Sequence, residues 1–130
     1  QLKTVEDLMV TGNKIPFVGE DLEMYKALRI LTQKKLGVLV IRNKKLQTKG
    51  IITDGQIRRY NQKNKDLHSN KVRQIMTRNP ISVDKDILAA KALSLMNTNK
   101  ITSLCVHNKK NKLKTIGLIH IHNILQASVS

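Results

Sequence analysis

The chain has 130 residues, with 24 Lys and Arg against 9 Asp and Glu, a formal net charge of +15 and 40% hydrophobic residues. That length and apolar content allow one domain or two small units that share stability, neither expected to stand alone. No run of 18 apolar residues and no signal peptide is present, so a cytoplasmic chain without a membrane partner is expected. The lone Cys105 excludes a disulfide framework within one chain and, lying in an apolar stretch, reads as a buried thiol.

The charge invites a nucleic-acid reading. Against it, the lysines are spread over every loop and exposed helix face. There are only three aromatic residues, Phe17, Tyr25 and Tyr60, and no helix-turn-helix, zinc or stacking motif. The charge is therefore read as a solvated surface with a general attraction to anionic ligands, and no specific nucleic acid is expected. The abundance of Lys, Asn and Ile is a composition bias. A start at Gln1, without methionine, suggests a piece of a longer protein.

In chain order, Val5 to Met9 has the spacing of a short helix, followed by a turn cluster at Thr11 to Lys14 and a brief extended piece, Ile15-Pro16-Phe17-Val18, whose proline suits an edge strand. Met24, Ala27, Leu28 and Leu31 form a helical stripe that ends near Leu36-Gly37. Val38 to Ile41 reads as a strand buried on both faces. A polar hairpin loop, 42–49, leads to the strand Gly50-Ile51-Ile52 and a helix opened by Thr53 and Gln56. Residues 61–71 are polar and form a connector. The order then repeats: a short helix with Val72, Ile75 and Met76, an extended piece Asn79-Pro80-Ile81-Ser82-Val83, and a stripe of Ala89, Ala92, Leu93 and Met96. A buried strand 101–106, a loop from His107 to Lys114, the strand Gly117-Leu118-Ile119, the turn His120-Ile121-His122-Asn123 and a final helix follow. Gly117 lies 67 residues after Gly50, and Met76 lies 67 after Met9, so the chain is two tandem units, 1–66 and 67–130.

The strand–turn–helix of residues 50–59 and its copy at 117–126 carry the candidate chemistry. A helix opening at Thr53 points unpaired N–H groups out of the turn beside a hydroxyl, a place for a phosphate; the alternative is that Thr53 and Gln56 only cap the helix. His120 and Asn123 make a weaker cap, because histidine is not a favoured capping residue. His120 and His122 could donate to a phosphate or charge near neutral pH. A metal site needs a third ligand, and the sequence offers none, so no metal is assigned.

These residues resemble a known family. Two copies of short helix, strand, helix, strand, strand, helix look like a tandem pair of cystathionine-β-synthase (CBS) domains, the Bateman module. Leu8-Met9-Val10-Thr11-Gly12 with Ile15-Pro16, Leu36-Gly37-Val38, Gly50 to Gly55 with Arg58-Arg59, Ile101-Thr102-Ser103 and Gly117 to His122 further resemble the C-terminal CBS pair of bacterial arabinose 5-phosphate isomerases, a sugar-phosphate isomerase family. The resemblance implies an α+β fold with pseudo-two-fold symmetry, each unit a small three-stranded sheet flanked by helices. It also implies a catalytic isomerase domain before residue 1, a homodimer of CBS pairs within a homotetramer, and a role in making the lipopolysaccharide sugar Kdo. Nothing in these residues supplies the acid and base that such an isomerisation needs, so the fragment itself is read as non-enzymatic, with no required cofactor.

The family's clefts take nucleotides, so the resemblance implies a regulatory nucleotide or CMP-Kdo as ligand. Thr53 would serve a phosphate, and Gln56 stands where an Asp for ribose is usual; Asn123 keeps the ribose position, and His120 replaces the hydroxyl. Asp54 and His122 flank these positions. Lys14, Ile15 and Pro16 or Asn79, Pro80 and Ile81, with Gly37 or Thr102 and Ser103, would complete the sites. The remaining alternatives are a structural dimerisation module with vestigial clefts, or the CBS pair of another parent protein that senses adenine nucleotides.

Overall fold

The computed structural model describes residues 2–63 and 65–128; Gln1, Asn64 of the connector, and Val129 and Ser130 lie outside the described residues. In chain order the elements are α1 (Val5–Leu8), a 3₁₀ turn (Gly12–Lys14), β1 (Phe17–Gly19), α2 (Met24–Lys34), β2 (Val38–Arg42), β3 (Thr48–Thr53), α3 (Asp54–Gln62), α4 (Val72–Ile75), β4 (Thr77–Arg78), β5 (Ser82–Asp84), α5 (Ala89–Asn99), β6 (Ser103–His107), β7 (Gly117–His120) and α6 (Ile121–Ser128). The chain divides into two compact units, residues 16–80 and residues 1–15 with 81–130. The short helix of each sequence repeat thus packs in the unit that holds the other repeat's sheet.

In the unit of residues 16–80, the sheet order is β1-β2-β3-β4. β1 runs parallel to β2, β2 antiparallel to β3, and β3 antiparallel to β4. Pro16 precedes edge strand β1, where a missing N–H costs nothing. The apolar run of β2 is buried from Val38 to Ile41. The α2 stripe of Met24, Ala27 and Leu31 meets Leu39, Ile41 and Ile52 from the sheet and Val72, Ile75 and Met76 from the second repeat's short segment. Two features are not in the sequence reading. Residues 77–78 pair with Gly50 and Ile51 as a fourth strand, and Leu67, in the polar connector, is buried in this core at 3% exposure.

In the other unit the order is β5-β6-β7, again parallel then antiparallel. Its core joins Val5 of α1 to Ala89, Ala92 and Met96 of α5, Leu104, Val106 and Ile119 of the sheet, and Ile124 of α6. The backbone holds α1 in place: Val5 N–H donates to Ile87 C=O at 2.9 Å, and Val10 and Leu118 exchange N–H···O=C bonds of 2.9 and 3.0 Å. Thr4 and Asp7 form a capping box on α1. His107, read as the first residue of a loop, is instead the last residue of β6, 8% exposed, because the Asp84–His107 register extends the ladder by one pair.

Candidate functional site

Each unit ends its central antiparallel pair in the same way. In the first, Thr53 stands opposite Val38 at the end of β3. Its Oγ1 accepts the Gln56 N–H at 3.2 Å, which caps α3, and the Asp54 N–H donates to the Gly37 carbonyl at 2.9 Å. Gly37 has φ +72°, a conformation that favours glycine, and a β-carbon there would stand 3.0 Å from Asp54 Oδ2, which would have to give way. Gly37, Thr53 and Asp54 therefore come together, with Asp54 exposed in the first turn of α3 where a negative charge suits the helix dipole.

Gln56 follows a different course from the one its position suggested. Its side chain does not return to the Thr53 N–H to complete a capping box. It is buried, and Nε2 donates to the Ile75 carbonyl at 2.5 Å, tying α3 to the last residue of α4. A residue the sequence reading used only for the resemblance, Arg59, comes forward instead: its Nη1 lies 3.4 Å from where a β-carbon on Gly55 would sit, so the guanidinium folds back over the first turn of α3. The i, i+4 spacing of Gly55 and Arg59 is the signal that could have shown it.

The second turn repeats the backbone pattern. The Ile121 N–H donates to the Thr102 carbonyl at 2.8 Å, as Asp54 does to Gly37. Ser103, buried, stands opposite His120 in the ladder. The histidine and asparagine do bond the turn: Asn123 Oδ1 accepts the His120 N–H at 2.7 Å, and His120 Nδ1 accepts the His122 N–H at 3.1 Å. An imidazole nitrogen can accept as a hydroxyl does, provided it carries no proton. The His120 pKa is held below the usual histidine value by burial and, secondarily, by His122, whose ring stacks on it with centroids 4.8 Å apart. Neutral His120 therefore has its proton on Nε2, leaving that N–H as its remaining donor. His122 is exposed.

Lys14 and Ile15 belong to one unit and Pro16 to the other, as do Ile81 and the pair Asn79-Pro80, so both proline-bearing pieces mark the places where the chain passes between units. Lys14 is exposed at the end of the 3₁₀ turn and Ile15 is buried. The carbonyls of Pro16 and Ile81 play equivalent parts, accepting from Val40 N–H at 3.0 Å and Cys105 N–H at 3.2 Å. Asn79 takes φ +53°, a left-handed conformation that asparagine tolerates better than most residues. Among the described residues, no three His, Cys, Asp or Glu side chains are grouped to hold a metal, and no helix is long and apolar enough to cross a membrane.

Comparison with known proteins gives this geometry a family. The arabinose 5-phosphate isomerase KdsD of Yersinia pestis is 40% identical over 98% of this chain, which spans 38% of that relative's length. Among solved structures, the CBS domain protein NE2398 superposes with a TM-score of 0.85 at 23% identity over all of both chains. CBSX2 in complex with AMP superposes with a TM-score of 0.84 at 22% identity, over 97% of this chain and 96% of its own. The CBS domain family profile matches residues 5–63 and again residues 72–130, so the chain belongs to the CBS domain family as a tandem pair.

Proposed function

We propose that this CBS pair is the regulatory part of an arabinose 5-phosphate isomerase, which interconverts ribulose 5-phosphate and arabinose 5-phosphate. In this reading the pair senses a nucleotide or nucleotide sugar, CMP-Kdo before adenine nucleotides, and passes occupancy to an isomerase domain on its N-terminal side within a cytoplasmic homotetramer. The observation that carries the reading is the twice-built strand–turn–helix, with Thr53 Oγ1 at one strand end and the neutral His120, whose Nε2–H has no partner among the described residues, at the other. A donor there suits phosphate or carboxylate, and the net charge of +15 favours an acidic ligand. Such a ligand regulates only if it binds two states of the whole protein unequally.

A thermal-shift titration with CMP-Kdo, CMP, AMP, ADP and ATP tests this, since a ligand of the native state raises its stability. Selective stabilisation by CMP-Kdo, lost in His120→Ala, is expected. Stabilisation by the adenine nucleotides alone would replace the proposed ligand.

A second reading rests on Gln56. Its amide is spent on Ile75, so the first turn lacks the side chain that would serve a ribose, while Tyr25, Leu88 and Leu125 are exposed apolar residues on or next to helices. A dimerisation module would show a dimer by sedimentation and no thermal shift with any of the five compounds.

A further inference from the structure

The two units differ at the other end of their parallel strands. After β5, the Lys85 N–H donates to the His107 carbonyl at 2.9 Å, and Ser82 Oγ and His107 Nδ1 share a hydrogen bond of 2.6 Å. That corner is closed. In the unit of residues 16–80, Gly19 pairs with Arg42 as Asp84 pairs with His107, which makes Phe17 the counterpart of Ser82 and Glu20 that of Lys85. Among the described residues the Glu20 N–H makes no bond to the Arg42 carbonyl. The loop after β1 stands away from β2. It is tied to α4, where Arg73 N–H donates to the Glu20 carbonyl at 3.0 Å and the Arg73 guanidinium pairs with Asp21 at 2.5 Å. The opening is a cavity of about 460 Å³, lined in part by Phe17, Glu20, Asp21, Arg42, Asn43 and Lys44.

Its chemistry is directional. The Arg42 guanidinium carbon lies over the Phe17 ring, 3.8 Å from its centroid, and the guanidinium pairs with no carboxylate among the described residues. Lys44 adds a second cation. Asp21 forms an exposed ion pair with Arg73, so among the described residues Arg42, Lys44 and the Glu20 carboxylate are the charged groups of the lining without an ion-pair partner. The Asn43 amide is occupied by the hairpin, through Gln47 Oε1 and the N–H groups of Lys45 and Gln47. The Phe17 ring carries Arg42 on one face, so the cavity offers a cation rather than a bare aromatic ring at this point. The volume falls in the lower part of the range for small-molecule sites.

We propose that this cavity binds a small phosphorylated polyol, with the phosphate on the Arg42 fork, Lys44 and the Glu20 N–H, and hydroxyls donating to the Glu20 carboxylate. The site is separate from the turn at Thr53. Thr53 pairs with Val38, at the opposite end of β2 from Arg42, roughly 13 Å away at strand rise.

Ribose 5-phosphate, inorganic phosphate and ribose, titrated into the ¹⁵N-labelled chain, provide the test. Ribose 5-phosphate is expected to shift the amides of Glu20, Asp21, Arg42 and Lys44 and to leave those of Thr53 and His120 in place. Inorganic phosphate should move the same amides more weakly, and ribose should move none. Arg42→Gln should weaken binding at least about tenfold, the effect of losing a charge-assisted hydrogen bond. Phe17→Leu, which keeps the charge but frees the guanidinium, should weaken it less. The proposal is overturned by no shift with ribose 5-phosphate, by an unchanged titration in Arg42→Gln, or by shifts spread over surface lysines as an adventitious ion only would give. Shifts confined to Thr53 and His120 would also overturn it while supporting the regulatory site.

Discussion

The sulfur of Met76 lies 2.8 Å from where a β-carbon on Gly50 would project, and Met9 crowds Gly117 in the same way. Gly50 lies within β3 and Gly117 opens β7, and each admits the methionine that follows the other repeat's short helix. Gly50→Ala and Gly117→Ala should each destabilise the fold by about 1–3 kcal/mol, the cost of forced overpacking, measurable by urea unfolding. The atoms around Gly117 all belong to the flexible Met9 side chain, so Met9→Ala should recover part of the loss, with a coupling of at least about 0.5 kcal/mol. At Gly50 the nearest atom is the Thr77 backbone carbonyl, at 2.7 Å, so Met76→Ala should recover much less.

Gln56 acts as a tie between helices. Gln56→Leu leaves the Ile75 carbonyl without its donor and should cost about 1–3 kcal/mol in denaturant unfolding. Thr53→Val, which removes the α3 cap, should cost about 0.5–2 kcal/mol. If Gln56 instead served only a ligand, its replacement would leave the stability of the free chain unchanged.

Two histidines give the fold an acid limit. Burial is the main cause holding both His107 and His120 below the ordinary value of 6.5; at His107, Asp84 opposes the shift and Lys112 adds to it. A depressed pKa means that the unfolded chain takes up the proton first. The stability these groups confer is therefore full above about pH 6.5 and is lost as pH falls through their lower folded values. Melting temperature should decline from pH 7 to 5, and His107→Gln or His120→Gln should flatten that decline. Nitrogen chemical shifts of His120 at pH 7 should report the Nε2–H tautomer.

Cys105 should be chemically quiet. Burial pushes its thiol up to about 11, against a smaller opposing effect of the Thr115 hydrogen bond. At pH 8 a maleimide should leave the folded chain unlabelled and modify it fully in denaturant. Rapid labelling without denaturant would show that the β5–β6–β7 unit opens locally.

Much of this was legible because the apolar spacing is regular. The stripe of Met24, Ala27 and Leu31 and the buried run of Val38 to Ile41 follow from short-range patterns, and the paired glycines from the 67-residue repeat. The exchange of α1 and α4 was not legible, because a four-residue helix carries no mark of which sheet it will cover. Leu67 was hidden for a related reason: one leucine in a polar segment has no period, yet it is buried. At the candidate site, the Thr53 cap could be read from residue type alone. The His120 cap could not, since it depends on which ring nitrogen holds the proton, and neither could the turn of Gln56 toward Ile75, nineteen residues away.

Since Met9 lies on Gly117 and Met76 on Gly50, each hydrophobic core is signed by both halves of the sequence. A chimera joined at the repeat boundary, taking its second half from another protein, would not carry one intact core and one foreign one. Unless the new half carries the same methionine and glycine, it would place a mismatched methionine–glycine contact in both cores at once, so these two pairs couple the halves of the chain.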